Sequence, residues 1–384
     1  MIPFLDLRRQ YAALAEPLEA AVLETLRGGS YVLGEAVESF EADFAARCGT
    51  RHAIAVNSGS SALHLALLAA GVGPGDEVLT VPTTFVATVA AVLYVGAVPV
   101  LVDVDPETLT MDPARFEAAI TPRTKAVLPV HFHGRLADMA EIGRIAEAHG
   151  LIVIEDAAQA HGATRGALSA GGFGALGCFS FYPGKNLGAA GEGGAITTSD
   201  PALADRIRAL RDWGQVERSV HLLRGYNFRM DTIQGAILGV KLRHLAAWTE
   251  GRRWVARQYD AGLSERVTCP AQASGDDHVY HVYAITHPAR DGLRAALADA
   301  GVATNIHYPR PVHLQPAYAD LADGPGSFPV AEAYAARTLS LPIYPELRPE
   351  EIAQVISAVN GFVDAQAGQT GRFDRTACPE EIAI

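Results

Sequence analysis

Apolar residues recur at helical spacing near the start of the chain, as in Leu14, Leu18, Val22 and Leu26, and predict amphipathic helices over 6–27 and 35–47. Between them, Gly28-Gly29-Ser30-Tyr31-Val32-Leu33-Gly34 breaks the period, which suits either a loop passing close to another group or a plain interhelix turn. From His52 onward short apolar runs at 53–56, 78–81, 98–102, 126–130 and 151–154 alternate with helical patterns. Strands alternating with helices predict a mostly parallel sheet covered by helices on both faces. Two more strand-like runs, 178–181 and 194–198, bracket a glycine-punctuated loop, and helical patterns follow over 202–211 and 232–258. Beyond the polar connector Ser274-Gly275-Asp276-Asp277 come a strand pattern over 278–286 and helical patterns over 290–300 and 349–363. The expected organisation is an α/β large domain over 1–250, a smaller α+β domain over 251–365 and an irregular tail over 366–384.

One run, 80–102, carries no charge and is long enough to cross a bilayer, but Pro82, Gly96 and Pro99 divide it into the strand, helix and strand of a buried βαβ unit. No membrane partner is expected. With 384 residues, 49% of them hydrophobic, the chain can bury a large core. The net charge of -12 argues against a sequence-independent nucleic-acid binder, which needs a basic surface. Cysteines 48, 178, 269 and 378 lie far apart, with no CxxC pair and no His/Cys cluster at metal spacing. Asp6, Arg8 and Arg9 interrupt the start of the chain before a signal peptide's apolar run could form, so a reducing cytoplasm is expected.

Composition changes the picture most at the glycine-punctuated loop. Only three lysines (125, 185 and 241) occur among 31 Lys+Arg, so arginine serves wherever a generic cation will do, and Lys185 sits inside that loop. A desolvated lysine amine can lose its proton and form a Schiff base; arginine cannot. A loop lysine can equally point into water, so other residues must decide. After the first strand comes Asn57-Ser58-Gly59-Ser60-Ser61 at a helix start, where free N–H groups suit a phosphate, although serines are also ordinary caps. Asp156 follows the 151–154 run, at the carboxyl end of a buried strand where open α/β sheets place ligands; it could also only cap the next helix. A phosphate cradle, a strand-end aspartate and a loop lysine are the three things pyridoxal phosphate needs. No GxGxxG follows the first strand and no GxxxxGK[ST] occurs, which disfavours dinucleotide and P-loop readings.

From Ile2 to about Val363 the chain resembles the DegT-type nucleotide-sugar aminotransferases, fold-type-I pyridoxal-phosphate enzymes. The motifs that carry the likeness include IPFLDLRRQY, YVLG, NSGSSALHLAL, PTTFVATVAAV, IEDAAQAHGA, FSFYPGKNLGA, NFRMD and IHYPRPVHLQPAY. The resemblance implies a Schiff base at Lys185, Asp156 on the ring nitrogen, Gln159 near the phenolic oxygen and Phe85 stacked on the ring. It implies a phosphate held by Ser60, Ser61 and Ser180, with Asn227 reaching it from the neighbouring subunit of a homodimer with shared active sites. The sugar nucleotide would lie near Tyr31, Tyr182, Arg229, His307 and Tyr308. The implied reaction moves an amine from an amino acid, glutamate being the expected donor, to a keto-sugar nucleotide in deoxyaminosugar biosynthesis for an antibiotic or polysaccharide. The loop FYPGKNLG looks most like those of enzymes aminating a dTDP-3-keto-6-deoxyhexose, since C4-specific relatives more often carry histidine where Tyr182 stands. Two departures bear on substrate: Thr232-Ile233-Gln234-Gly235 replaces a usual Glu-Leu-Gln-Ala, and His131-Phe132-His133-Gly134 replaces His-Leu-Tyr-Gly. A 4-keto sugar or cyclitol ketone as acceptor, or a non-catalytic cofactor-binding sensor, are the alternatives.

Overall fold

The computed structural model describes residues 1–373. Helices α1 (Leu7–Gly28) and α2 (Glu35–Cys48) precede β1 (His52–Val56), α3 (Gly59–Ala69), β2 (Glu77–Thr80), α4 (Ala87–Tyr94) and β3 (Val98–Leu101). Then come α5 (Pro113–Ala118), β4 (Thr124–Val127), α6 (Met139–His149), β5 (Ile152–Asp156) and a small hairpin of β6 (Thr164–Arg165) and β7 (Leu168–Ser169). They are followed by β8 (Leu176–Ser180), β9 (Gly194–Thr198), α7 (Pro201–Arg211), a second hairpin of β10 (Gln215–Glu217) and β11 (Val220–His221), α8 (Thr232–Leu242) and α9 (Leu245–Gly262). The chain closes with β12 (Tyr283–Thr286), α10 (Arg290–Asp299), α11 (Pro329–Arg337), β13 (Thr338–Leu341) and α12 (Pro349–Phe373).

The seven-stranded sheet has the order β1-β9-β8-β5-β4-β2-β3. β9 runs antiparallel to both its neighbours, and the other pairs are parallel. This geometry follows from the glycine-punctuated loop, which turns the chain back from β8 into β9 at the carboxyl edge of the sheet. The carboxyl ends of β1, β5 and β8 therefore share that edge. Helices cover both faces: α3 and α7 pack on Ile54, Val56, Leu176 and Ile196, and α2 packs on Ala53, Ala55 and Phe179 from the other side. The uncharged run 80–102 forms the end of β2, α4 and β3, and among the described residues no helix is long and apolar enough to cross a membrane.

Where the structure departs from the predicted elements, the reason is local. The helix expected over 232–258 breaks at Arg243 and His244, because α8 packs on α1 and α2 whereas Val255, Ala256 and Tyr259 of α9 enter a second core with Tyr283, Leu339 and Val355. Ile2 joins that second core through a parallel bridge to Val302. The strand expected over 278–286 is strand only from Tyr283, because residues 278–282 instead cross over the large sheet's edge, with Tyr280 at φ 44°. Helix α12 continues past Val363 to Phe373, and the rest of the expected tail, 374–384, lies outside the described residues. Gly235, one of the departures from the family pattern, marks a close crossing: a Cβ there would lie 2.8 Å from Val37 Cγ2 and 2.9 Å from Val37 Cα. Alanine would force α2 and α8 apart.

Candidate active site

Three strand ends bring the first groups together. Ser58 caps α3, its Oγ accepting the Ser61 N–H at 3.1 Å and lying 2.9 Å from Ser61 Oγ. The N-terminus of α3 is pressed against the end of β8, since a Cβ on Gly59 would sit 2.6 Å from Ser180 Cβ. Ser60 is exposed, Ser61 buried and Ser180 half-buried, so three hydroxyls gather at the N-terminus of α3. That is the donor set an anion requires.

At the end of β5, adjacent acids point to opposite faces, as strand pleating dictates. Glu155 accepts N–H groups from Gly171, Phe173 and Gly174, each at 2.8 Å, and fastens the loop behind the sheet. Asp156 faces α4, where Thr88 Oγ1 donates to its Oδ2 at 2.7 Å, and the Ala158 N–H donates to its Oδ1 at 3.2 Å. Asp156 is not merely the cap of a following helix, because residues 157–163 form turns rather than a helix. Burial pushes its carboxyl above the usual carboxylate range, against the opposing pull of these hydrogen bonds and of Lys185. A buried carboxyl in this condition is stabilised by a cationic partner.

Lys185 occupies a tight turn in which its own N–H donates to Tyr182 O at 2.8 Å. Burial lowers its amine to about 8, with the Asp156 charge pulling the other way. A sizeable fraction of the amine is therefore neutral near that pH. The next residue, Asn186, is only 3% exposed; its Nδ2 donates to Val279 O at 2.9 Å, and its Oδ1 lies 3.2 Å from His281 Nδ1.

Gln159 is buried, accepting the His133 N–H on Oε1 at 2.7 Å and donating from Nε2 to Tyr308 Oη at 3.3 Å. The Phe85 ring is 54% exposed, with its centroid 5.8 Å from that of Tyr308, and so offers a free aromatic face. Burial raises the Tyr308 phenol, helped by the Asp156 charge. Burial, with the Lys185 charge, lowers His307 to about 4; its Nδ1 lies 2.9 Å from Ser340 Oγ and its carbonyl accepts from His133 Nε2 at 3.3 Å. Tyr182 is 55% exposed beside the lysine turn.

Tyr31, Asn227 and Arg229 form a separate cluster. Main-chain bonds lace the Tyr31 loop to the NFRMD segment, Leu33 N to Met230 O at 3.0 Å and Thr232 N to Tyr31 O at 3.0 Å. Arg229 pairs with Asp212 at 3.2 Å and donates to Asn227 Oδ1 at 3.1 Å, while Tyr31 Oη donates to Leu26 O at 3.3 Å. Asn57 joins this segment to the α3 turn, its N–H donating to Phe228 O at 3.0 Å. Among the described residues none of the three hydrogen-bonds to Lys185, Asp156 or Gln159.

Sequence reasoning missed Thr88, Asn186 and His281, and marked His133 only as a departure bearing on substrate. Thr88 had one signal, a hydroxyl three residues after Phe85 in an otherwise apolar helix; the rest depend on the crossing of residues 278–282, which no local pattern encodes. The residues present fit pyridoxal phosphate: an anion cradle, a buried carboxyl short of a cationic partner, a lysine amine of lowered basicity and an exposed ring stand along one sheet edge.

Known proteins of similar sequence and shape share this architecture. The chain is 49% identical, over 93% of its length and 98% of the relative's, to the erythromycin biosynthesis sensory transduction protein EryC1 of Saccharopolyspora erythraea. It is 45% identical to the dTDP-3-amino-3,4,6-trideoxy-alpha-D-glucose transaminase of Streptomyces venezuelae, over 94% of this chain and 96% of that one. The crystal structure of S. venezuelae DesV superposes with a TM-score of 0.93 at 45% identity, covering 94% of this chain and 98% of DesV. The model of the DegT/DnrJ/EryC1/StrS aminotransferase family matches residues 13–360, and the chain belongs to that family.

Proposed function

We propose that this protein transfers an amino group from glutamate to a dTDP-3-keto-6-deoxyhexose. The observation that carries the transfer chemistry is the meeting of Lys185, Asp156 and the α3 turn at one sheet edge. Near full-length similarity to the S. venezuelae transaminase supports the acceptor. When bound, pyridoxal phosphate supplies a reactive aldehyde and an electron sink. Lys185 would hold it through the side-chain amine and would also be the group that carries the proton taken from the donor's α-carbon. Asp156 would keep the ring nitrogen protonated, and Thr88 holds Asp156 in place. Ser60, Ser61, Ser180 and the α3 N–H groups would take the phosphate, Phe85 would cover the ring and Gln159 would serve the phenolic oxygen. Tyr182, His307 and Tyr308 flank the sugar. The sensory name of the EryC1 relative fits the alternative of a non-catalytic cofactor-binding protein, and an assay of amine transfer from glutamate to candidate ketones separates the two.

Position on the sugar is biased by which sugar hydroxyl or keto oxygen meets the Tyr182 hydroxyl, and one such hydrogen bond favours an orientation by about 1 kcal/mol, or a few at most. Measured kcat/KM is expected to favour the 3-keto over the 4-keto isomer clearly. Equal rates or a 4-keto preference would overturn the acceptor assignment and leave amine transfer standing.

The proposed active form is a homodimer whose sites share residues, Tyr31, Asn227 and Arg229 serving the partner's sugar nucleotide and phosphate. In support, Trp213 (49%), Val216 (58%), Val220 (44%) and Leu222 (67%) expose an apolar patch beside the NFR segment, of a kind that marks protein interfaces. Mixing Lys185→Ala with the double variant Asn227→Ala, Arg229→Ala is expected to restore roughly a quarter of wild-type activity, by random pairing in a two-fold dimer. Proven hybrids without recovery would assign Asn227 and Arg229 to their own chain's site, where Asn57 already meets this segment.

A further inference from the structure

Residues 278–282 contact the site at several points, and none has been given a part in the amine transfer proposed above. The Val279 and His281 N–H groups donate to Gly134 O and His133 O, both at 2.9 Å. Val279 O and His281 Nδ1 meet the two ends of the Asn186 amide. The approach to the large sheet is close: a Cβ on Gly134 would fall 2.8 Å from Gln159 O and 2.8 Å from Val279 Cγ2. One short segment thus holds both the loop of Lys185 and the loop whose His133 N–H fixes Gln159.

The hydrogen bonds also settle which ring nitrogen of His281 carries the proton. Asn186 Nδ2 donates to Val279 O, so Oδ1 is the atom facing His281 and can only accept. Nδ1 of His281 must then bear the hydrogen. Burial keeps the imidazole neutral, and the charges of Lys185 and Arg252, with His307 and His161 nearby, act the same way. Reversing the Asn186 amide would set two carbonyl oxygens against each other, so the arrangement has one register.

We propose that His281 is a positioning residue for Lys185: its Nδ1–H, donated to Asn186, locks the amide that immediately follows the lysine and so aims the lysine amine. The inference rests on Lys185 being the reacting amine. It differs from two other roles His281 could have, filling space or acting as a base through Nε2, in the order of substitutions it predicts. Asparagine at 281 can place an N–H where Nδ1 stands; glutamine reaches instead to the position of Nε2. A space-filling or Nε2 role ranks glutamine at or above asparagine.

The test uses full-length His281→Asn, His281→Gln, His281→Ala and, as a variant at the other end of the bond, Asn186→Asp. Amine transfer by His281→Asn is expected within about threefold of wild type, whereas the other three lose roughly 10- to 100-fold in kcat with KM for glutamate little changed, the consequence of misaiming a reacting group. A second readout needs neither cofactor nor substrate: trace acetylation of the cofactor-free protein across pH, with the Lys185 peptide quantified by mass spectrometry. Groups acting on Lys185 in that experiment are Asp156, His161, His281 and His307. Wild type and His281→Asn should share one labelling midpoint, and the other variants should depart from it together. Glutamine matching or exceeding asparagine, or all four variants labelling and turning over within twofold of wild type, would overturn the proposal. Absence of transamination in wild type would instead sink the function, leaving the labelling series to judge His281 by itself.

Discussion

Lys185→Arg is expected to lose amine transfer by roughly 10⁴-fold or more while the protein stays folded, the upper range for removing a positioned proton carrier. Arginine keeps the charge and much of the length, but its guanidinium stays protonated at any working pH and cannot attack an aldehyde. The wild-type amine is prepared for that attack, since burial lowers it to about 8 against the pull of Asp156. Only the neutral amine reacts, so capture of pyridoxal phosphate by cofactor-free protein should accelerate as pH rises through about 8 and then level off. A stopped-flow pH series on wild type, beside steady-state turnover of the arginine variant, checks both statements. Turnover within tenfold of wild type would remove Lys185 from the chemistry.

Asp156→Asn is expected to lower kcat by about 10²–10³-fold, the range for deleting one group that stabilises developing charge in a dry site. A neutral amide cannot hold the pyridine nitrogen protonated, so the electron sink weakens although the cofactor still binds. Stability should behave differently from activity. Because burial raises the Asp156 carboxyl in the folded chain, the folded state binds this proton more readily than the unfolded one. Ionising Asp156 therefore costs stability as pH rises through the carboxyl range, and asparagine removes that cost while losing one well-matched acceptor for Thr88 or Ala158. The cofactor-free variant should melt within a few degrees of wild type near neutral pH. A large drop in melting temperature would make Asp156 a structural residue first.

Much of this site was legible before any coordinates because it is built from strand ends. A buried strand reads as a short apolar run, and the residue that follows must emerge at the carboxyl edge. Asp156, the serine turn and the lysine loop could therefore be placed by counting runs, whereas the antiparallel direction of β9 emerged only in the structure. What could not be read is whatever depends on one segment crossing another. Thr88 reaches Asp156 only because α4 lies over β5. His281 meets Asn186 only because residues 278–282 leave the strand pattern that their alternation suggests and arch over the sheet. The break between α8 and α9 is of the same kind: apolar spacing continues through it, but Leu245 and Trp248 stay with the α8 packing while Val255, Ala256 and Tyr259 enter the second core.

The central claim, that Lys185 is the amine that carries pyridoxal phosphate, is tested most directly by borohydride reduction of the cofactor-loaded protein followed by peptide mapping. The result predicted is a phosphopyridoxyl mass on the peptide containing Lys185, with none on Lys125 or Lys241. Cofactor fixed to either of those lysines, or to none of the three, would contradict it.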